Sequence, residues 1–479
     1  MKKNKLMKYI GAAIIGLTLS FSACVSPAAV NKTLDDSTPT SFSGNTDTIN
    51  SANVQWKDFL NDPYLTALID TALANNQELN ITLQEIQVSK NEIRTRKGEY
   101  LPNVGIGAAG GVDKVGRYTS QGANDANTDI KPGIETPDPL QDYKIGAFAT
   151  WEVDIWRKLR NGKESAVNRY LASIEGKNFM VTQLVAEIAH TYYELLALDN
   201  ELLIIQQNIE IQNNAYKIVE MQKEAARVTE LAVRRFEAQV LKTKGLQFRI
   251  QQEIIETENR INFLLGRFPQ PIERNAAIFN DLMPTDIQSG IPTQLLENRP
   301  DIRQAEAMLV AAKLDVKVAK ANFYPSLSIN AGVGFQAFNP KFLVDSPESI
   351  IYSLAGDIAA PLINRNAIKA TYYSANNKQQ QAIYEYERSI LTAYIEVVNE
   401  LSNIDNLEKS YDLKSLEVEA LTKSIEISNN LFSAARADYM EVLMTQRDAL
   451  ESRFELIETK QKQMSAMVNI YKALGGGWN

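Results

Sequence analysis

The sequence contains one segment twice, and this duplication constrains the fold more than any other feature. Residues 75–111 (NNQELNIT…EYLPNVGIGAAGG) align with residues 298–334 (NRPDIRQA…NFYPSLSINAGVG) at a constant offset of 223 positions, so that Pro102 falls on Pro325. The match continues more weakly into the later part of each half. Self-similarity at a fixed period indicates repeated structural units. Each half is therefore predicted to contain a helix, a pair of strands and a long helical stretch.

The two strand pairs are predicted within residues 101–154 and 324–361. In SLSINAGVGF every second residue is apolar, and the residues between them are small or polar. The stretch YKIGAFATWEVD alternates in the same way, with Phe148 as the exception. Such alternation is typical of strands with one apolar and one polar face, and each run has about the 9 to 11 residues that cross a bilayer. Asp154, at the end of this run, is expected to cap the helix that follows.

The first strand also contains the spacing Gly105-x-Gly107-x-x-Gly110, which resembles a dinucleotide-binding motif. That motif requires a helix to begin within it and an acidic residue about 20 positions further on. A polar loop follows instead, and the second copy of the segment lacks the spacing. We interpret the three glycines as small, lumen-facing positions of a strand that faces lipid on its other side.

The helical stretches are unusually long. No proline occurs between Pro139 and Pro269, and neither proline nor glycine occurs between Leu362 and Leu474. These two residues most often interrupt helices, so each stretch is predicted to form a hairpin of two long helices. In the second stretch the polar cluster of Asn403, Asp405 and Asn406 is the predicted turn.

The N-terminus has the pattern of an export signal, with four lysines before the apolar run YIGAAIIGLTLSF. Cys24, the only cysteine, follows this run in FSAC, which resembles a bacterial lipobox, and we predict cleavage before Cys24 and its acylation. The alternative is a chance cysteine beside an ordinary cleavage site. After the signal no run approaches the ~18 apolar residues of a membrane-spanning helix. Any crossing of a membrane must therefore use strands.

Four strands cannot close a barrel by themselves, and an open sheet edge in lipid leaves backbone groups without hydrogen bonds. Since known barrels have at least about 8 strands, several chains must share one barrel. Two chains would give a barrel too narrow for a conduit, whereas three chains give about twelve strands and a lumen. The fold class predicted here is a mostly α, mixed α+β membrane protein with two internal repeats.

Four long stretches resemble the TolC-type outer-membrane efflux family, in the lipoprotein branch that serves resistance-nodulation-division pumps. They begin with WKDFLNDPYL, WEVDIWRKLR, IPTQLLENRPDIRQAEA and YKALGGGW, and lie at 56–79, 151–160, 291–328 and 471–478. The resemblance implies a homotrimer with a 12-stranded outer-membrane β-barrel, a long periplasmic α-helical barrel and a small equatorial domain. It also implies a passive exit duct for drugs or other small molecules. Its partners would be a periplasmic adaptor and an inner-membrane pump.

The expected organisation has five parts. They are a signal peptide (1–23), a lipid-anchored linker (24–55), the first repeat (56–270), an equatorial linker (271–294) and the second repeat (295–479).

The resemblance also suggests where a periplasmic constriction would lie. Matching TAYIEVVNELSN to the family's gate segment places Asn399 where an aspartate often occurs, with Glu396 and Glu400 within one helical turn. Three copies would then place several carboxylates around the pore and favour cations. Asp199, with Tyr192 and Glu194, occupies the related position of the first half. The alternative is that these side chains are the solvated face of a coiled coil.

The same turns are candidates for contact with the adaptor, and ordinary solvated turns are the alternative. The residues concerned are Leu198, Asp199, Leu401, Ser402 and Asn403.

Two other classes of function remain as alternatives. A lipid-anchored coiled-coil spacer would explain Cys24 and the helices, but not the paired alternating strands. An enzyme is disfavoured because no catalytic motif is present, and no cofactor or metal site is predicted. The only histidine, His190, is assigned to helix packing. The net charge of −8 gives no basic footprint for nucleic acid.

Overall fold

The computed structural model describes residues 32–42, 47–283, 287–434 and 436–478. The predicted signal peptide and Cys24 lie outside the described residues. The described chain divides into two compact units. Apart from N-terminal residues, unit 1 contains Gln87–Leu171 and Ala307–Ile383, and unit 2 contains Leu34–Ile86, Ala172–Glu306 and Tyr384–Asn479.

Helices make up most of the described chain, as the sequence predicts. In chain order they are α1 (Trp56–Leu60), α2 (Pro63–Asn75), α3 (Gln77–Glu99), α4 (Ser120–Asp125), α5 (Lys158–Glu224), α6 (Glu230–Leu264), α7 (Leu295–Asn298), α8 (Pro300–Ala321), α9 (Asn366–Ser433) and α10 (Tyr439–Ala473).

Unit 1 contains a four-stranded antiparallel sheet in the order β1-β4-β5-β6. Both strand pairs form, and β4 of the first half pairs with β5 of the second. A separate two-stranded ribbon, β2 with β3, lies in the long loop after β1. The strands are β1 (Asn103–Asp113), β2 (Asp129–Lys131), β3 (Ile134–Glu135), β4 (Leu140–Val153), β5 (Ser326–Ala337) and β6 (Ile350–Ala359).

The element boundaries follow the sequence repeat. Helices α3 and α8 begin at Gln77 and Pro300, and strands β1 and β5 begin at Asn103 and Ser326, so both pairs keep the 223-residue offset. The offset then shortens, because the β1–β4 connection of the first half carries α4, β2 and β3, whereas the β5–β6 connection is shorter. The two halves are therefore one structural plan with a longer loop in the first copy.

The predicted turn at Asn403–Asn406 is wrong, because α9 continues through it to Ser433. Side chains of this cluster instead form hydrogen bonds with residues three or four positions away on the same helix. Asn403 donates to Glu400 at 3.1 Å, and Lys409 donates to Asp405 at 2.5 Å. Such i,i+3 and i,i+4 pairs stabilise a helix rather than end it. The described helical connections lie further along each half, at 225–229 and at 434 with 436–438.

The core of unit 2 forms where α2 packs among the long helices. Asp62 caps α2 by accepting hydrogen bonds from the N–H groups of Tyr64 and Leu65 at 2.8 and 3.1 Å. Its second carboxylate oxygen accepts a hydrogen bond from the fully buried Tyr192 hydroxyl at 3.0 Å. Phe59 stacks on Tyr471 with ring centroids 4.1 Å apart. These contacts make Tyr192 a core residue rather than part of a gate.

The linker before α1 packs against unit 2. Phe42 is 1% exposed and stacks on Tyr394 of α9. Further along, the Gln294 side chain donates to the Thr48 carbonyl at 2.9 Å, and Asn50 forms an antiparallel bridge with Ser289. The described part of this linker therefore belongs to the folded unit.

Helix α5 ends in a Schellman motif that uses alanine. The Ala226 N–H donates to the Lys223 carbonyl at 2.8 Å and the Arg227 N–H to the Gln222 carbonyl at 2.9 Å. Ala226 has φ of 58°, the left-handed conformation that glycine adopts without strain. In an L-residue this conformation costs roughly 1–2 kcal/mol.

We therefore expect Ala226→Gly to stabilise this turn by about 1 kcal/mol, because glycine removes the Cβ strain. Hydrogen exchange of the Ala226 and Arg227 amides should slow by about fivefold. The matched control is Ala225→Gly, one residue earlier, where glycine has no strain to relieve and should not slow exchange. Faster exchange in Ala226→Gly than in the wild type would contradict this account of the turn.

Candidate channel surfaces and constriction residues

The four-stranded sheet of unit 1 has two chemically distinct faces. Residues that pair across antiparallel strands point to the same side of a sheet, so the register assigns each side chain to a face. We define the apolar face as Val104, Ile106, Ala108, Ile145, Ala147, Ala149, Trp151, Ile329, Ala331, Val333, Phe335, Ile350, Tyr352, Leu354 and Ile358. We define the polar face as Gly105, Gly107, Ala109, Lys144, Gly146, Phe148, Thr150, Glu152, Ser328, Asn330, Gly332, Gly334, Ile351, Ser353, Ala355 and Asp357.

The apolar face is strongly exposed in the single chain. Ile106 is 88% exposed, Tyr352 is 85% exposed and Leu354 is 79% exposed. Large apolar side chains cluster in this way on surfaces that another protein or lipid covers.

The glycine motif lies inside β1, and no helix begins in it. Gly105 and Gly107 are on the polar face, as predicted, but Gly110 is not. It pairs with Tyr143 and lies on the same side as Val104 and Ile106. The reason is the two-residue period of a strand, because positions 107 and 110 differ by an odd number of residues.

The ends of the strands in unit 1 are fixed by specific hydrogen bonds. The Trp151 indole N–H donates to the Tyr100 carbonyl at 3.0 Å, and the Trp156 N–H donates to the Pro325 carbonyl at 2.7 Å. Asp154 accepts from the N–H groups of Leu159 and Arg160 at 3.0 and 2.9 Å, which confirms it as a cap of α5. Burial alone raises the pKa of Asp154, but these donors and the Arg160 guanidinium outweigh it, so the net shift is downward.

In unit 2 the predicted constriction residues Glu396, Asn399 and Glu400 lie on α9, well before its end at Ser433. Their expected position beside a helix turn is therefore wrong. Asn399 is exposed, whereas Glu396 and Glu400 are partly buried.

Glu396 belongs to an ion-pair cluster around Arg299, whose side chain is 6% exposed. The Arg299 guanidinium donates to Glu396 at 2.7 Å, to both carboxylate oxygens of Asp301 at 3.0 and 2.7 Å, and to the Ala473 carbonyl at 2.9 Å. A buried guanidinium needs such partners, since an unpaired buried charge is strongly destabilising. Glu396 therefore has a structural partner within its own chain.

Among the described residues, only side-chain amides donate to Glu400. Asn403 donates to one carboxylate oxygen at 3.1 Å and Asn469 donates to the other at 3.3 Å. The side-chain oxygen Oδ1 of Asn469 in turn lies 2.9 Å from Nε2 of His190. Burial lowers the pKa of His190, consistent with a neutral side chain packed between helices.

Asp199 is held by a second arginine cluster. Arg274, from the linker between the repeats, donates to both Asp199 oxygens at 2.5 and 2.9 Å and to Glu258 at 2.5 Å. The side chains of Arg274 and Asp199 are only 15% and 18% exposed. This pairing binds the linker to the helices and leaves Asp199 without the free carboxylate expected of a gate residue.

The predicted adaptor-contact residues are not at helix tips. Leu198 and Asp199 lie inside α5, and Leu401, Ser402 and Asn403 lie inside α9. The true helix ends are instead supported by a small apolar cluster. Its buried members are Val219, Ala232, Val233, Phe236 and Val442.

Two features of these sites were missed at the sequence level. Arg299 stands in NRPD, inside the repeated segment, but nothing in the spacing identifies its partner on α9. Arg274 lies in the equatorial linker, where no periodicity exists to place it. Both contacts join residues far apart in sequence.

A cavity of about 670 Å³ in unit 2 is lined by residues of α5, α6 and α10, including Glu201, Arg249 and Glu458. Arg249 already pairs with Glu253 at 2.9 Å. No side chain in the described ranges donates a hydrogen bond to the Glu201 carboxyl. Burial, with the nearby Glu253 and Glu458, raises the pKa of Glu201 to about 7.

Within the described residues, no three His, Cys, Asp or Glu side chains are grouped as a metal site would require. None of the helices in these ranges combines the length and apolar character needed to cross a membrane.

The fold matches that of solved outer-membrane channels. The open state of the MtrE outer membrane channel of Neisseria gonorrhoeae superimposes with a TM-score of 0.82 at 21% identity, covering 95% of this chain and 99% of that chain. The chain therefore shares the fold of that protein.

The sequence profile described as outer membrane efflux protein matches residues 68–267 and 291–476. This chain belongs to the outer membrane efflux protein family, and it is an outer-membrane component of an efflux system. The pyoverdine export outer membrane protein OpmQ of Pseudomonas aeruginosa is 26% identical over 424 residues, 88% of this chain and 87% of the relative. The toluene efflux pump outer membrane protein TtgI of Pseudomonas putida is 27% identical over 425 residues, 88% of this chain and 87% of the relative.

The raised pKa of Glu201 predicts a pH dependence of unit 2. A carboxyl group with a higher pKa in the folded state binds more protons there than in the unfolded state. Its contribution to stability therefore falls as the pH rises from about 4.5 to about 7. We expect Glu201→Gln to raise the melting temperature at pH 8 relative to the wild type and to reduce the difference between pH 5 and pH 8.

Circular dichroism of detergent-extracted protein at several pH values checks this expectation. Glu426→Gln, at an exposed position of α9, is the matched control and should follow the wild-type curve. Identical pH curves for Glu201→Gln and the wild type would show that Glu201 does not titrate in this interval.

Proposed function

We propose that three copies of this chain assemble into a passive exit duct through the outer membrane. In this assembly, the three four-stranded sheets close into a barrel of about twelve strands, and the helices continue the duct into the periplasm. A periplasmic adaptor and an inner-membrane pump of the resistance-nodulation-division type supply the cargo and the driving force.

The observation that carries this proposal is the four-stranded sheet with two open edges. β1 and β6 each pair on one side only. An unpaired edge in lipid leaves backbone N–H and C=O groups without hydrogen bonds, at a cost of several kcal/mol per group. Pairing β6 of one copy with β1 of the next removes every edge, and three copies are the fewest that leave an open lumen.

The two faces of the sheet support the same assembly. The apolar face, with Ile106, Tyr352 and Leu354 exposed, suits contact with lipid. The polar face is built of small and polar residues and suits the wall of an aqueous duct. No further covering of the apolar face by protein is then needed.

Similar proteins guide the proposal on cargo. OpmQ is named for pyoverdine export and TtgI for toluene efflux, two very different molecules. Relatives that resemble this chain to nearly the same degree are thus named for different cargo, so the shared architecture does not fix the cargo, and we assign its selection mainly to the pump and the adaptor. We assign to this chain drugs or other small molecules as cargo.

The adaptor contact is reassigned to the helix connections. Residues 225–229 and 436–438 are the described loops at which α5 meets α6 and α9 meets α10. They replace Leu198, Asp199 and 401–403, which lie inside helices. Both connections occur at equivalent positions of the two repeats, so an adaptor would meet similar surfaces twice in each chain.

The lipid anchor remains part of the proposal. Cys24 follows the apolar run in FSAC, and acylation by more than one chain is required for firm attachment to a membrane. The linker that follows is held by Phe42 and Asn50 against unit 2.

Cysteine cross-linking tests the trimer directly. In one chain β1 and β6 are three strand spacings apart, about 14 Å, which exceeds the reach of a disulfide. A double variant that combines Ile106→Cys with one cysteine on β6 can therefore form this disulfide only between two copies of the chain. The β6 positions to be scanned are Ile350, Tyr352, Leu354, Gly356 and Ile358.

The double variant whose β6 cysteine lies opposite position 106 of the next copy should, after oxidation, give monomer, dimer and trimer on a non-reducing gel. Nothing larger should form, because three copies close the ring. Each variant with only one introduced cysteine is the matched control, since it lacks the second strand partner; Cys24 is common to all variants. Absence of cross-linking across the whole scan, or an open ladder beyond trimer, would overturn the closed trimer.

The constriction proposal is restricted to Asn399 and Glu400. We expect Glu400→Ala to reduce the cation preference of pores in planar bilayers, measured as the reversal potential in a salt gradient, because it removes a carboxylate that has only amide partners. Glu396→Ala should instead lower the melting temperature, with a loss of about 1 kcal/mol, because Arg299 loses a partner.

Glu419→Ala, which removes an exposed carboxylate of α9 paired with Lys423, is the control for a general loss of negative charge. An unchanged reversal potential in Glu400→Ala would remove this residue from the constriction.

A further inference from the structure

Phe148 departs from the pattern of its strand. It is the only aromatic residue of the four strands that lies on the polar face, and it is 48% exposed. Its neighbours along β4 on that face are Gly146 and Thr150, and its cross-strand partners are Gly105 and Gly332. A large apolar side chain exposed among glycines calls for a physical explanation.

The neighbouring glycines make room for this ring. A Cβ added to Gly105 would lie 2.6 Å from Cζ of Phe148, closer than atoms approach in proteins. A Cβ on Gly107 would touch the ring at 3.7 Å. The ring therefore lies against the strand β1 backbone, where a side chain at position 105 would otherwise stand.

Phe148 borders a depression of about 530 Å³ on the sheet. Its floor includes Gly146, Gly332 and Gly334, and Ile351 adds a second apolar side chain. Of the described residues that line it, Lys144 alone is charged. Lys144 forms no ion pair with any residue in the described ranges, so its charge is available to a ligand.

We propose that this depression is a contact site for cargo, and that it takes small amphiphilic anions with a planar apolar ring. The proposal rests on the proposed function, in which the polar face lines the duct. The ring of the cargo stacks on Phe148 above the glycine floor, while its acidic group lies toward Lys144. The contact concentrates such molecules at the duct wall without holding them.

The energetics fit a transient contact. An aromatic pair contributes about 0.5–1.5 kcal/mol beyond the burial of its area, which corresponds to a two- to tenfold change in affinity. An exposed ion pair adds up to about a fivefold gain in affinity. Weak binding of this size slows the passage of a ring-bearing anion slightly and does not block the duct.

The test uses 2-naphthoate as the probe, with full-length protein in lipid nanodiscs for calorimetric binding and in planar bilayers for current blockade. Phe148→Ala should weaken 2-naphthoate binding two- to tenfold and shorten its blockades. Lys144→Gln should weaken the binding of 2-naphthoate but strengthen that of 2-naphthylmethylammonium, because the cationic probe loses a like-charge neighbour. Ile145→Ala, which alters the apolar face of the same strand, is the matched control and should match the wild type.

A second variant separates the effect of the position of the Phe148 ring from a general destabilisation of the sheet. Gly105→Ala places a methyl group against the ring and should weaken 2-naphthoate binding by displacing it. In the Phe148→Ala background the same change should have no further effect, because no ring remains to be displaced.

Equal 2-naphthoate binding in Phe148→Ala, Ile145→Ala and the wild type would overturn the site. The readouts distinguish this from failure of the duct itself. If the protein forms open pores but 2-naphthoate binding does not depend on Phe148, only the proposed contact site is rejected. Binding that depends on Phe148 and Lys144 without any pore rejects the duct and upholds the ligand contact on the sheet.

Discussion

The architecture of unit 2 depends on how each repeat closes on itself. In the first repeat Asn76, which caps α3, donates to the carbonyl of Leu264 at the end of α6 at 2.9 Å. At the equivalent place in the second repeat, Arg299 donates to the carbonyl of Ala473 at the end of α10. The last carbonyls of a helix have no partner within it, so these contacts satisfy groups that would otherwise be exposed or unpaired. They also return each long hairpin to the start of its own repeat.

Two glycines permit this closure. Gly266 has φ of 67°, and a Cβ there would lie 2.5 Å from the Asn75 carbonyl oxygen. Gly475 has φ of 98°, and a Cβ there would lie 2.7 Å from the carbonyl of Asn298. The tripeptides LLG (264–266) and ALG (473–475), which end the two repeats, therefore have the same physical role. Both the backbone conformation and the close approach exclude any larger residue.

The second repeat differs by placing an arginine where the first has an asparagine, and this difference accounts for the error about the gate. An amide satisfies a carbonyl without further cost, but a buried guanidinium requires carboxylates. Asp301 and Glu396 supply them. From sequence alone Glu396 resembles an unpaired acidic residue on a polar helix face, because its partner is distant in sequence.

The repeat, the long helices and the alternating strands could be predicted, since each depends on local periodicity. The helix ends could not, because alanine occupies the left-handed position at 226 that glycine usually marks.

Strand alternation also explains why Phe148 could be noticed but not interpreted from sequence. The two-residue period of a strand assigns each side chain to one face of the sheet, so a large apolar residue on the polar face is visible in the sequence. The glycines that make room for it lie on a neighbouring strand, which the sequence pattern does not identify. Pairing in register places Gly105 beside Phe148, so Gly105 and Gly107 of the apparent nucleotide motif instead leave the space into which this ring fits. A sheet face of mostly small residues can still accommodate one large ring, provided that the strand beside it gives up its side chains. In the proposed duct, these glycines keep the wall thin and leave it one apolar contact surface.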